Sequence, residues 1–392
     1  MAVVAAASVS VVMATYNGAQ FLEPQLASIA AQTRLPDELV VCDDQSSDES
    51  VEVVERFASR APFEVRVVRN PERLGFAGNF LQAARLSRGD LIAWSDQDDV
   101  WMPEKLAACA RELESDDEVL LVAHASQFGE WMQHGRPVVR GATGDWFGRF
   151  TPRRVRRRTV YTPTSLPLRT RFPGRSSLVS RRVLDVADAL ETRLPGIIDE
   201  FESHHDLWIG FVAGAIGKVV ILPDALVQYR LHDEQVTGHA APPKGAADRA
   251  KASANRVGRS IEHDANESAV YGFFRASVLT QLAAQLDEAA GFDRGPTEFH
   301  ASLAARVAAG GDREAEAARN AARRGEMYRR RGEVALRRLE LRRQRPFSRV
   351  AAACLVASVA RGDYGPRHLG GFGLRGLAAD LLPANYCDTR TA

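Results

Sequence analysis

Short runs rich in Val and Ile alternate with longer stretches of helical period through the first 125 residues, and this alternation constrains the fold more than any other feature. It is the sequence form of strand, helix, strand units wound about a mostly parallel sheet. Strands are expected at Ser8 to Ala14, Glu38 to Cys42, Phe63 to Arg69, Asp90 to Trp94 and Val119 to Ala123. Between them, Phe21 to Gln32, Asp48 to Ser59, Gly78 to Arg88 and Pro103 to Leu113 carry apolar residues three and four apart and follow turn residues or an opening Pro. The fifth strand is expected to close a doubly wound half. From Gly129 to Arg175 the period is lost and Arg, Pro and Gly dominate, so a long loop or irregular insertion is expected there. Leu178 to Val186 reads as a strand running into a helix, Leu207 to Gly214 as a helix and Lys218 to Leu222 as a buried strand. Residues 239–392 are rich in Ala and Arg and poor in β-branched residues, which predicts a mainly helical region with a boundary near Ala241 to Gly245.

Charge is balanced overall, with 51 basic and 50 acidic residues among 392, so bulk charge does not suit the protein to nucleic acid. The distribution is uneven: residues 1–130 hold 22 acidic and 10 basic side chains, whereas residues 131–175 hold 1 and 11. A hydrophobic fraction of 45% excludes a disordered or fibrous chain. Cys42, Cys109, Cys354 and Cys387 form no CxxC pair, which predicts neither a disulfide framework nor a zinc site and fits a reducing compartment. The first fourteen residues are apolar without a leading Lys or Arg, so a strand is expected there rather than a signal peptide. No run approaches the roughly 18 apolar residues of a spanning helix.

The chemistry concentrates where strands end. Ser95, Asp96, Gln97, Asp98, Asp99, Val100 and Trp101 follow the strand at Leu91 to Trp94, and three carboxylates gathered so closely repel one another unless a cation joins them. Thr15, Tyr16, Asn17 and Gly18 end the first strand, and Asp43, Asp44, Gln45, Ser46, Ser47 and Asp48 end the second. Each cluster alone could be helix capping, with Thr15 and Asp48 as candidates. Together they must share one edge, because parallel connections return every strand pointing the same way, and that edge is where open α/β sheets bind ligands.

These residues, with Leu74-Gly75-Phe76-Ala77-Gly78-Asn79-Phe80, resemble the family 2 glycosyltransferases of GT-A fold, a Rossmann-like mixed sheet with helices on both faces. They are most similar to the rhamnosyltransferase-like branch that builds cell-surface polysaccharides. The resemblance runs from residue 8 to about 238, through Pro173-Gly174-Arg175-Ser176-Ser177, His205-Asp206-Leu207-Trp208 and Tyr229-Arg230-Leu231-His232. It implies a GT-A domain over residues 1–238, with a nucleotide-sugar half to residue 125 and an acceptor half after it. It also implies a metal-dependent inverting transfer of a sugar, such as rhamnose from dTDP-rhamnose, to a glycan or lipid-linked hydroxyl. The donor is then held by Ala14, Thr15, Tyr16, Asp44, Asn79, Asp96 and Gln97, with Asp44 on the pyrimidine. Mg²⁺ or Mn²⁺ is held by Asp98 and His232, and the catalytic base is Asp206. Many relatives have Arg where this chain has Gly78, which removes one phosphate contact.

Alternative meanings stay open at several positions. Asp206 stands at a helix start, where a carboxylate also serves the helix dipole. His204 and His205 could suggest zinc, but sequence neighbours project differently and no third ligand at a standard spacing follows. A sugar nucleotidyltransferase would use the same kind of sheet but needs a glycine-rich phosphate loop after the first strand, which Thr15-Tyr16-Asn17-Gly18 is not. A non-catalytic glycan-binding or membrane scaffold protein conflicts with the carboxylates at the strand ends. Gly371, Gly373 and Gly376 spell GxGxxG without a preceding strand, and Asn266-Glu267-Ser268 is a sequon by spelling only. The run Arg319 to Arg349 holds 12 Arg against 3 acidic residues, ordinarily a solvated helix face. Followed by the apolar Val350 to Val359, it could instead rest on an anionic membrane from the cytoplasmic side, or serve oligomerisation.

Overall fold

A computed structural model describes residues 6–133, 136–138, 143–144, 157–163, 165–166, 172–193 and 204–232, and later residues 276, 278–280, 319–330 and 333–334. The chain divides into two units, residues 1–162 with 169–236, and residues 163–168 with 237–392. In the first unit, β1 (Val9–Thr15), α1 (Ala19–Ala30), β2 (Glu38–Asp43), α2 (Ser50–Ala58), β3 (Glu64–Arg69), α3 (Gly75–Leu86) and β4 (Leu91–Ser95) follow in the expected alternation. After these come β5 (Val100–Trp101), α4 (Lys105–Ser115), β6 (Val119–Gln133), β7 (Arg136–Val138), β8 (Thr143–Gly144) and β9 (Thr159–Tyr161). A single tight turn at Gly174–Ser176 leads into β10 (Ser177–Ser180), then α5 (Arg181–Arg193), α6 (His205–Ile216) and β11 (Lys218–Leu231).

The strands form one mixed sheet in the order β3-β2-β1-β4-β10-β6-β11-β5. β1 pairs in parallel with β2 and β4, and β2 with β3. β10 runs antiparallel between β4 and β6, while β11 is parallel to β6. Two expectations are corrected here. β6 does not close the parallel half beside β4, because β10, arriving more than 40 residues later, takes that place. The Gly129 to Arg175 stretch is not all loop: β6 runs on to Gln133, and β7, β8 and β9 pair with β6 or β11. β11 likewise continues past Leu222, and Pro223 is tolerated because the pairing register shifts between Leu222 and Ala225.

Val9, Val11, Met13, Leu39 and Val41 are buried with Leu22, Leu26 and Ile29 of α1 and Val53, Val54 and Phe57 of α2. Each such side chain contributes roughly 1.5–3 kcal/mol relative to exposure. At the amino-terminal end of the strands, Ser10 Oγ donates to buried Glu38 at 2.7 Å and Arg66 pairs with it at 2.7 Å. Burial raises the Glu38 carboxyl, but bonds from Ser10, the Arg88 N–H and Arg66 outweigh it and hold it below the usual range. With that end fixed, β1 and β2 finish level, Thr15 opposite Asp43, and β4 ends two residues earlier, Ser95 opposite Met13.

In the second unit, residues 319–330 are helical. Arg324, part of the run read as a solvated face, is 3% exposed and donates to the carbonyls of Pro163 (2.6 Å) and Leu166 (2.7 Å), so packing claims it. Arg329 keeps the surface pattern, paired with Glu326 and Glu333 on its own helix. Val350 to Val359, the Gly371 to Gly376 segment and Asn266 lie outside the described residues. Among the described residues no helix is long and apolar enough to cross a membrane.

Candidate active site

The strand order reverses direction between β1 and β4, since β2 and β3 lie on one side of β1 and β4 on the other. This switch point opens a crevice beyond the carboxyl ends of the strands. The loops after β1, β2 and β4 meet there, bringing together the three polar clusters read from the sequence.

Asp96, Asp98 and Asp99 each offer a carboxylate oxygen within 4.8 Å of the others. Asp99 is completely buried and neither of its carboxylate oxygens has a hydrogen-bond partner. Burial pushes its carboxyl well above the usual carboxylate range, and Asp96 and Asp98 add to the effect. Burial, then the like charge of Asp98, push Asp96 up to about 7 against the pull of Arg175. The Nε2 of His232 lies 2.8 Å from Oδ2 of Asp98, and its ring stacks on Phe21 at 4.1 Å. Arg230 donates to the carbonyls of Asp98 and Phe21, clamping the acidic loop to α1. Two buried oxygens without donors, beside two more carboxylates, fit a hard divalent cation.

Beneath the cluster lies a cation the sequence did not single out. Lys105 is fully buried, donates to the Arg175 carbonyl at 2.7 Å and sits 3.6 Å from the Trp101 ring centroid. Burial lowers its pKa to about 7, with Cys109, Asp99 and Asp96 resisting. In the sequence it is an ordinary Lys in the first turn of an amphipathic helix. Only the fold turns it inward.

Beyond the end of β1, exposed Tyr16 carries the Arg73 guanidinium 3.8 Å above its ring. Arg73 also lies 3.7 Å from Asp44 and was not singled out in the sequence. Asp44 accepts from the Asn70 side chain (3.1 Å) and from the N–H groups of Leu74 (2.7 Å) and Gly75 (3.0 Å), holding the start of α3 against β2. Asn79 is 2% exposed and donates to the carbonyls of Cys42 and Thr15 while accepting from Asn70, so it braces these loops from behind. Thr15 donates to Asp43 at 3.0 Å, and Asp48 accepts from Ser50 and from the Ala19 N–H, joining two helix starts. Ala14 is partly buried at the end of β1.

Asp206 lies in the first turn of α6. Rather than capping that helix, it accepts from the Gly174 N–H at 3.1 Å through Oδ2, while its buried Oδ1 has no partner. Gly174 lies against Trp94 of β4 as well as Asp206, so Asp206 stands near the strand end that leads into Asp96. Neighbouring His205 is 1% exposed and boxed by Phe80 (4.3 Å) and Trp94 (4.9 Å), and burial lowers its pKa to about 4. That apolar box is no zinc site.

Fold and crevice define an open α/β protein built to bind a ligand across the switch point of its sheet. Residues 10–177 match the family model described as glycosyl transferase family 2. An uncharacterized glycosyltransferase of Nostoc sp. is 31% identical over 116 residues, 30% of this chain and 36% of that protein. The dTDP-rhamnosyl transferase RfbG of Shigella flexneri is 35% identical over 98 residues, 24% of this chain and 34% of that protein. The chain thus matches about a third of the length of these relatives. Among solved structures, S. aureus TarS 1–349 in complex with UDP is 17% identical with a TM-score of 0.43, over 82% of this chain and 91% of that one.

Proposed function

We propose that this protein is a metal-dependent inverting glycosyltransferase that moves a sugar from a nucleotide-sugar donor to a hydroxyl of a glycan or lipid-linked acceptor. The observation that carries the reading is a carboxylate cluster with buried oxygens that lack donors at the end of β4, and Asp206, whose Oδ1 lacks a partner, brought toward that strand end through Gly174 and Trp94. Asp96, Asp98 and Asp99, with His232 beside them, would hold Mg²⁺ or Mn²⁺. Such an ion stabilises the charge that develops on a departing diphosphate. Ala14, Thr15, Tyr16 and Asp44 face the base and ribose, with Asn79 bracing their loops. Asp96 stands on the sugar side of the metal. Asp206, fixed by Gly174 through one oxygen, has the other available to take the proton of an attacking hydroxyl.

The similarity to the dTDP-rhamnosyl transferase of Shigella flexneri supports rhamnose from dTDP as the donor to test first. A lipid-linked acceptor would place the enzyme at the cytoplasmic face of a membrane, with residues 239–392 as the part to examine for surface contact or oligomerisation. The test is a panel of UDP-, GDP- and dTDP-sugars assayed for release of nucleoside diphosphate with and without Mn²⁺. Metal-dependent release from one of them supports the reading, and no release from any, with or without acceptor glycans, overturns it.

A further inference from the structure

We propose that Gln97 is a positioning residue that locks the nucleotide side of the crevice to its metal side by holding the Tyr16 backbone across the switch point. The inference rests on the reading above and replaces direct donor contact as the role of Gln97. Its side-chain amide pairs with both backbone groups of Tyr16, just past the end of the neighbouring strand β1. The Tyr16 N–H donates to Oε1 at 2.9 Å, and Nε2 donates to the Tyr16 carbonyl at 3.2 Å. Gln97 lies between Asp96 and Asp98, so this pairing ties the carboxylate loop to the loop that carries Tyr16.

Gly18 shows that the chain makes room for the contact. Its backbone, at φ −115 and ψ 12, is open to any residue, so conformation does not demand glycine. Space does: a Cβ on Gly18 would stand 2.2 Å from Oε1 of Gln97 and 2.3 Å from its Cδ. On its other side the same loop is fastened to the loop after β2, where Ser46 and Ser50 accept from the N–H groups of Asn17 and Gly18 and Asn17 accepts from Ser47. Without Gln97 the loop keeps those anchors and loses its tie to the carboxylates. A ligand that touches both sides feels the loss, whereas one that touches the nucleoside side alone does not.

The experiment is calorimetric titration of wild type, Gln97→Met, Gly18→Ala and the double variant. The probes are the nucleoside diphosphate that wild type binds best with Mn²⁺, and the matching nucleoside monophosphate without metal. Met keeps the length of Gln and removes both hydrogen bonds. Each single variant is expected to lose about 10-fold in diphosphate affinity and less than 2-fold in monophosphate affinity. The double variant is expected to lose no more than either single one, because both act through one contact. Wild-type diphosphate binding by Gln97→Met, equal losses for both probes, or additive losses in the double variant would each overturn the inference. If wild type binds no diphosphate at all, the functional reading fails and this inference falls with it.

Discussion

Replacing Asp96 by Asn should stabilise the metal-free protein at pH 8 and abolish the extra stability that Mn²⁺ confers. Burial and Asp98 raise the Asp96 pKa from 3.8 to about 7. A raised carboxyl keeps its proton in the folded state after the unfolded chain has lost it. Its contribution is therefore present below about 3.8 and lost as pH climbs to about 7. At pH 8 the ionised group costs the fold about 4 kcal/mol. Asn removes that cost but must itself be desolvated, so a net gain of roughly 2 kcal/mol is expected, or about 4–8 °C in Tm for a cooperatively unfolding domain. At pH 4, where the folded carboxyl keeps its proton and the ionisation cost is nearly gone, the Asn desolvation should leave the variant roughly 2 kcal/mol less stable than wild type. For wild type at pH 8, Mn²⁺ at a hundred times its Kd should add about 2.7 kcal/mol, and for Asp96→Asn almost nothing. Thermal unfolding at both pH values, with and without Mn²⁺, measures all four terms. A variant less stable than wild type at pH 8, with an undiminished Mn²⁺ shift, would refute the reasoning.

Asp206→Asn should slow transfer by roughly 10² to 10⁴ with donor affinity changed less than 2-fold. An equal collapse of donor affinity would make Asp206 part of the donor site. Arg73→Ala should weaken nucleotide binding several-fold, since its guanidinium covers Tyr16 beside Asp44. An unchanged Kd would remove Arg73 from the nucleotide side. His124 is buried and its pKa is lowered to about 3, by burial first and then by Lys105. The unfolded chain therefore takes up a proton near 6.5 that the fold refuses, and stability falls as pH drops below that value. From pH 7 to pH 5 this costs about 2 kcal/mol, which His124→Asn should remove. Equal pH dependence in denaturant titrations of both proteins would show that His124 does not carry it.

Much of the fold was legible because local pattern decides it. The period of apolar residues placed β1 to β4 and the helices between them, and parallel winding required their polar ends to meet. What the sequence hid depends on contacts between distant residues. Nothing in Ser177–Ser180 announces that β10 slips between β4 and β6, and Pro223 masks a strand that a shifted register carries through. At the site, carboxylates declare themselves by mutual repulsion, so Asp96, Asp98 and Asp99 stood out. Lys105 and Arg73 did not, because an inward-turned cation and a solvated one look alike in a sequence. Gly18 looked like a turn residue, whereas its use is the space it leaves for Gln97.

The most direct test of the proposed chemistry is calorimetric titration of the wild-type protein with UDP, GDP and dTDP, each with and without Mn²⁺. The metal-dependent reading expects one of these to bind in the micromolar range with Mn²⁺ and at least 10-fold more weakly without it, a difference that Asp98→Asn erases. Binding that ignores both the metal and Asp98, or no binding by any of the three, would contradict it.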